Sequence, residues 1–189
     1  MQWGFLFDQT RCTGCQTCII ACKDWHELEG GSENWIKVSY IENGTFPSIS
    51  VRYLFTACFH CANPLCLKAC PVSAIIKREN DGIVIVNRSV CIGGENCRFA
   101  CQKACPYHIP EFGSEPNAKM QKCDLCLDRL LKGQNPVCVG ACPMRALEVS
   151  PIEKLREIDG NNRSAAGFVY SDRAGPSVVF KTKVRKGNL

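Results

Sequence analysis

The chain has little of what most enzymes use for chemistry. With only three histidines, His26, His60 and His108, no Ser-His-Asp set stands out. There is no GxGxxG turn for a dinucleotide and no GxxxxGK loop for phosphate, so the common nucleotide sites are excluded. No apolar run approaches the about 18 residues needed to cross a bilayer. The strongly apolar pieces, such as Ile83-Val84-Ile85-Val86, are short, β-branched and bounded by turn residues, and so read as strands. Met1 to Asp8 has neither the basic segment nor the apolar stretch of an export signal, which makes cytoplasm the default expectation. The formal net charge is +5, yet no aromatic residues interleave with the basic ones to stack bases, so no nucleic-acid partner is expected.

What is abundant is cysteine, with 16 in 189 residues arranged as four sets of four. They read Cys12-x2-Cys15-x2-Cys18-x3-Cys22, Cys58-x2-Cys61-x4-Cys66-x3-Cys70, Cys91-x5-Cys97-x3-Cys101-x3-Cys105 and Cys123-x2-Cys126-x11-Cys138-x3-Cys142. Pro71, Pro106 and Pro143 follow the last cysteine of three sets. Disulfides would need an oxidising compartment. Zinc motifs present two separated pairs, in place of a triplet with a fourth cysteine a few residues on. The bacterial ferredoxin pattern does have that triplet, with the fourth cysteine before proline crossing over to ligate another [4Fe-4S] cluster. Crossover implies that sets work in pairs, but spacing alone leaves open which sets are partners.

The chain resembles the four-cluster ferredoxin subunits of molybdopterin oxidoreductases, most nearly the iron-sulfur subunit of the dimethyl sulfoxide reductase type. The resembling residues are Asp8 to Cys18, Ala21-Cys22-Lys23-Asp24, Cys61 to Cys66, Lys77-Arg78-Glu79 with Asp81 to Val84, Cys105-Pro106-Tyr107, Lys122 to Cys126, and Cys142 to Leu147. The likeness spans residues 5 to about 160. It implies an α+β fold of two nested bacterial ferredoxin-like units with additional strands. Residues 1–50 with 115–150 would form one unit and 51–114 the other, while 151–189 would be an extension packed on the body or on a partner. It further implies four [4Fe-4S] clusters: on Cys12, Cys15, Cys18 and Cys142; on Cys123, Cys126, Cys138 and Cys22; on Cys58, Cys61, Cys66 and Cys105; and on Cys91, Cys97, Cys101 and Cys70. A large catalytic subunit would hold a Mo or W bis-pterin, with a membrane anchor or a soluble redox partner beyond it, and export could follow through that subunit. Two other readings stay open. One is a stand-alone polyferredoxin carrier, and the other, from looser likeness around Gly44-Thr45-Phe46-Pro47, is the small subunit of a pyrogallol hydroxytransferase-type pterin enzyme.

The third set departs from the family's CxxCxxCxxxCP, with three extra residues in its first gap and one in its second. Gly93-Gly94 supplies backbone freedom for the detour. The family varies at this set, which leaves a three-iron centre or a shifted potential open, and four cysteine ligands favour the ordinary four-iron form. Each oxidised cluster with its four thiolates adds about −2, so four of them convert +5 to about −3. The protein core is correspondingly thin, and the metal-free chain is expected to fold poorly. Among side chains near the sets, His60, Lys23 and Arg11 are candidates to tune a cluster, with a solvated or hydrogen-bonding side chain as the plain alternative. Trp3, Trp25 and Trp35 read as core or interface anchors.

Strands are expected at Trp35 to Ile41 and Ser48 to Phe55 with a turn at Asn43-Gly44, and at Phe168 to Tyr170 and Ser177 to Phe180. Helices are expected at Cys18 to Glu29, at Asp124 to Lys132 ending on Gly133, and at Pro151 to Ile158 before Asp159-Gly160. The basic run Lys181 to Lys186 reads as a polar tail.

Overall fold

The computed structural model describes residues 1–31, 33–158 and 161–182. Among the described residues, six short helices and eight short strands surround the cysteine loops. The central strand is β1 (Trp3–Asp8), which pairs antiparallel with β6 (Leu147–Pro151) and parallel with β8 (Val178–Lys181), while β7 (Asn161–Asn162) closes the other edge of β8. Successive side chains of β1 point to opposite faces. Phe5 and Phe7 enter the main core, where Phe5 meets Phe55 and Phe59 at ring separations of 5.4 and 6.4 Å, and Phe7 meets Phe180 at 6.5 Å. Leu6 faces the other way and joins Val179 against Ile152 and Leu155 of α6 (Ile152–Glu157). Each such buried side chain contributes about 1.5–3 kcal/mol. Gly4 permits this packing, because a Cβ there would lie 2.5 Å from the Ser177 carbonyl oxygen that accepts the Phe5 N–H.

Two antiparallel ribbons complete the strands. β2 (Lys37–Asn43) pairs with β3 (Ser50–Thr56), and β4 (Ile75–Lys77) pairs with β5 (Val84–Val86). The first ribbon leaves Tyr40, Phe46, Ile49 and Val51 exposed. In the turn of the second, the Asp81 carboxylate accepts the Ile83 N–H at 3.0 Å and pairs with Arg78 at 2.9 Å.

Proline explains the helix lengths. Helices α2 (Leu65–Ala69), α3 (Ala100–Ala104) and α5 (Val137–Gly140) stop just before Cys70-Pro71, Cys105-Pro106 and Cys142-Pro143. A residue before proline is driven out of the helical region, and Cys70 and Cys105 are indeed extended at ψ 114° and 119°. Lys23 follows Cys22 instead, so α1 (Thr17–Trp25) runs through Cys22 for nine residues. Helix α4 (Leu127–Leu130) ends where Gly133, at φ 69°, lets the Gly133 and Gln134 N–H groups bond back to Leu130 and Arg129. Helix α1 packs on α5, and α2 on α3.

Three expectations need correction. Phe168 to Tyr170 is not a strand: Phe168 makes one isolated bridge with Ala165, and Val169 is 83% exposed. Phe168 serves as an anchor, stacked at 5.1 Å on Tyr107 and 4.7 Å from Phe180. Strand β1 adds to the expected elements, and helices α1 and α4 are shorter than expected. Asp159-Gly160 and the basic run beyond Thr182 lie outside the described residues. The segment before β8 straps the second cysteine loop, with Ala62 and Asn63 N–H donating to Gly175 and Ala174 carbonyls at 2.7 and 2.9 Å.

Candidate metal centres

One turn recurs after three of the sets. In Cys70-Pro71-Val72-Ser73, Cys105-Pro106-Tyr107-His108 and Cys142-Pro143-Met144-Arg145, the fourth residue is left-handed, with φ 52°, 49° and 49°. Its N–H returns to the cysteine carbonyl at 3.4, 3.1 and 3.1 Å. The next N–H then points at sulfur: Ala74 donates to Cys70 Sγ and Ala146 to Cys142 Sγ, both at 3.3 Å, and Ile109 donates to the Cys105 sulfur. Gln16, His60, Arg98, Phe99, Leu125 and Cys126 are also left-handed, at least one in each set. This conformation is costly for non-glycine residues, and a nest of inward N–H groups is what an anion requires.

The fold gathers the cysteines across the sequence sets. Cys12, Cys15, Cys18 and Cys142 line one recess of about 380 Å³ with Phe7, Phe55 and Leu147. Cys58, Cys61, Cys66 and Cys105 line a second, of about 340 Å³, with Val84, Tyr107 and Lys122. Cys70, Cys91, Cys97 and Cys101 line a third, of about 330 Å³, with Ile75, Phe112 and Met120. The near-equal volumes fit one kind of occupant. Cys22, Cys123, Cys126 and Cys138 are buried together. Burial pushes the Cys22 thiol up to about 12, followed by the charges of Cys126, Asp124 and Cys18, and Cys138 is raised by burial and then by Cys126 and Cys22.

The stretched third set reaches its recess by the Gly93-Gly94 detour. Gly93 has φ 90°, and a Cβ there would lie 2.4 Å from the Asn117 carbonyl oxygen. Gly94 donates its N–H to Ala118 at 3.0 Å and accepts the Phe99 N–H at 2.8 Å.

Mutual influence between thiols orders the four sets. Cys22 feels Cys18 of the first recess, and Cys123 feels Cys58 of the second. Cys66 of the second recess is pushed up to about 12, by burial foremost, and feels Cys101 of the third. Burial likewise pushes Cys18 and Cys126 to about 11 and Cys101 to about 12. Such thiols stay protonated at neutral pH unless cations bind, and metal binding is what drives thiols to thiolates. Cys15 is the exception: exposed and lowered by the Thr17 hydroxyl, whose Oγ1 donates to its sulfur at 3.4 Å. Four thiols per recess, apolar walls and inward N–H donors suit the donor number and charge of a [4Fe-4S] cluster.

Other candidates divide. His60 is wholly buried, and its Nδ1 accepts the Val84 N–H at 3.0 Å, which leaves the proton on Nε2, an atom with no partner among the described residues. Burial holds it neutral, well below its ordinary value. No sequence signal singles out His26, yet its Nε2 lies 3.4 Å from Cys126 Sγ and its ring lies tilted against Trp35 at 4.5 Å. His108 is exposed. Lys23 bonds the Glu29 and Gly31 carbonyls at 3.3 and 3.2 Å, and Arg11 pairs with Asp8 at 3.5 Å, so both are occupied structurally. Trp3 and Trp35 are partly buried against the core, whereas Trp25 is 45% exposed beneath the Arg129 guanidinium at 4.6 Å. Lys122, in sequence no more than the residue before Cys123, is 2% exposed. Among the described residues no helix is long and apolar enough to cross a membrane.

Thiol sets of this kind, repeated four times on a small α+β frame, define a ferredoxin-type iron-sulfur protein. Residues 49–151 match the family described as "4Fe-4S dicluster domain". The protein is 41% identical to the B subunit of anaerobic dimethyl sulfoxide reductase from Haemophilus influenzae, over 95% of its own length and 89% of that subunit. It is 40% identical to the B subunit of the Escherichia coli reductase, over 95% and 88%. The thiosulfate reductase electron transfer subunit of Salmonella typhi is 36% identical over 81% and 78%. The protein therefore belongs to the family of iron-sulfur electron-transfer subunits that includes the B subunit of dimethyl sulfoxide reductase.

Proposed function

We propose that this chain is the electron-transfer subunit of a heteromeric molybdopterin oxidoreductase, carrying four [4Fe-4S] clusters and relaying electrons to or from a large Mo or W pterin subunit. Cys12, Cys15, Cys18 and Cys142 would hold the first cluster, and Cys22, Cys123, Cys126 and Cys138 the second. Cys58, Cys61, Cys66 and Cys105 would hold the third, and Cys70, Cys91, Cys97 and Cys101 the fourth. Residues 1–50 with 115–150 would then form one ferredoxin-like unit around the other, 51–114, with 151–189 as an extension. The observation that carries this reading is the mixing of sets: Cys142 shares a recess with Cys12, and Cys105 with Cys58.

Each cluster, when bound, supplies a one-electron centre. The chain's own residues hold the sulfurs, exclude water with Phe7, Phe55, Phe112 and Met120, and donate N–H groups that favour the added negative charge. Succession of the sets through Cys18 and Cys22, Cys123 and Cys58, and Cys66 and Cys101 supports a single file of centres. The exposed Cys15 supports the first set as one outlet, towards the partner or a further redox protein. Work in the cytoplasm or at a membrane follows the location of the large subunit and any anchor.

The test is anaerobic purification of the untagged chain from its native host, with iron, sulfide, molybdenum and tungsten analysis and EPR of the reduced protein. About 16 irons per chain and a co-purifying pterin subunit are expected. A zinc-loaded, colourless chain would overturn the reading, and a four-cluster monomer would make it a free carrier.

A further inference from the structure

Lys122 is a charged side chain in an unusual place. It is 2% exposed, and no salt bridge joins it to a carboxylate among the described residues. Its Nζ donates to two backbone carbonyls, those of Val84 and Cys123, the latter at 2.9 Å. Carbonyl dipoles alone leave the charge of a buried ammonium uncompensated, a state that costs several kcal/mol. An open groove that Lys122 also lines includes Glu27, Glu29, Glu33, Glu115 and Asp124, but none pairs with it among the described residues.

On its near side Lys122 lines the recess of Cys58, Cys61, Cys66 and Cys105 and lowers the cost of ionising Cys66. Through the chain it adjoins Cys123, the thiol of the Cys22 set that feels Cys58. Val84 is gripped from both sides, its N–H by His60 Nδ1 and its carbonyl by Lys122, which anchors the ammonium beside the recess. The lysine thus occupies the junction between the second and third centres of the file.

We propose that Lys122 is the internal counter-ion of these two middle clusters, a positioning charge that raises their reduction potentials together and keeps an electron from being repelled at the midpoint of the chain. This rests on the cluster assignment above. A reduced cluster bears about one more negative charge than its oxidised form of about −2, and in a low-dielectric interior a fixed cation favours that added charge. It acts on both neighbours because it lies between them, whereas the outer clusters are separated from it by the middle pair.

The experiment is EPR-monitored redox titration of the anaerobically purified holo-complex, wild type against Lys122→Met and Lys122→Arg, with iron and sulfide counts on each. Signals are assigned by the ligand variants Cys61→Ser and Cys126→Ser. In Lys122→Met the equilibrium constant for reducing each middle cluster falls at least tenfold, about 59 mV for a one-electron centre, with the outer two unchanged. Lys122→Arg stays near wild type. Four intact clusters with unshifted potentials in Lys122→Met, or a uniform shift of all four, overturns the inference. Should Lys122→Met lose its middle clusters, Lys122→Arg decides: retention of both supports the charge, and loss of both reduces the lysine to packing. A wild type without four clusters would instead sink the assignment beneath it.

Discussion

Replacing Cys142 by serine separates crossover ligation from four self-contained sets. Cys142 is four residues from Cys138 in the chain, yet it lies in the recess of Cys12, Cys15 and Cys18, while Cys138 is raised by Cys126 and Cys22. Cys142→Ser should therefore abolish or convert the same EPR signal as Cys18→Ser, and Cys22→Ser the same signal as Cys126→Ser. If the cluster survives with three irons, one iron of about 16 is lost and stability barely changes. If it is lost entirely, the apolar walls Phe7, Phe55 and Leu147 lose the group they pack on, and emptied core contacts of this kind cost about 2–5 kcal/mol. That is an upper bound, since the recess meets solvent at Cys15, but it is a large fraction of the stability of a domain. The recess must then collapse, taking Phe7 and Leu147 with it, and the thermal transition should broaden or split. The assay is iron content, low-temperature EPR and calorimetry of anaerobic variants. If Cys142→Ser extinguishes the signal lost in Cys126→Ser and spares that lost in Cys18→Ser, the crossover reasoning is wrong.

Gly93→Val places a branched side chain at φ 90° with its Cβ 2.4 Å from the Asn117 carbonyl oxygen, so it should remove the cluster of Cys70, Cys91, Cys97 and Cys101 while sparing the other three, as counted by EPR. Phe168→Ala empties the stack on Tyr107 and Phe180 and should destabilise the holo-protein by about 3–5 kcal/mol in denaturant unfolding, with iron released first from the recess that Tyr107 lines. In the metal-free chain, Cys18 and Cys126 rise from 9.0 to about 11 and Cys22, Cys66 and Cys101 to about 12. Unfolded thiols ionise first, so whatever residual fold exists keeps this contribution below pH 9 and loses it as pH climbs to 12. Circular dichroism should follow that loss in metal-free protein and not in loaded protein.

Cysteine spacing made the chemistry legible because a triplet with a fourth thiol before proline admits few folds. Spacing left the partner sets open, since crossover depends on which loops meet, and that is set by contacts such as α1 on α5. The ribbon β2–β3 was legible from its alternation and Asn43-Gly44, a local signal. Strand β1 was not: Phe5, Leu6 and Phe7 are buried on both faces, and its partners lie at 147–151 and 178–181. Phe168 to Tyr170 has strand-forming residues, but no neighbouring strand among the described residues offers them an edge, and Phe168 is drawn into an aromatic cluster instead. Lys122 stands out in the sequence only as the first residue of the motif Lys122 to Cys126; its burial was not legible, because it is a product of where Val84 and Cys123 come to rest.

The placement of β1 between two late segments bears on biosynthesis. Strand β1 waits for partners at 147–151 and 178–181, far along the chain, so its sheet closes only after the ribosome has delivered both. On the proposed ligation, the recesses of Cys58 and Cys70 have all their sulfurs once Cys105 has emerged, and those of Cys22 and Cys12 must await Cys138 and Cys142. Iron would accordingly enter the unit 51–114 first, with sealing by residues 178–181 to follow.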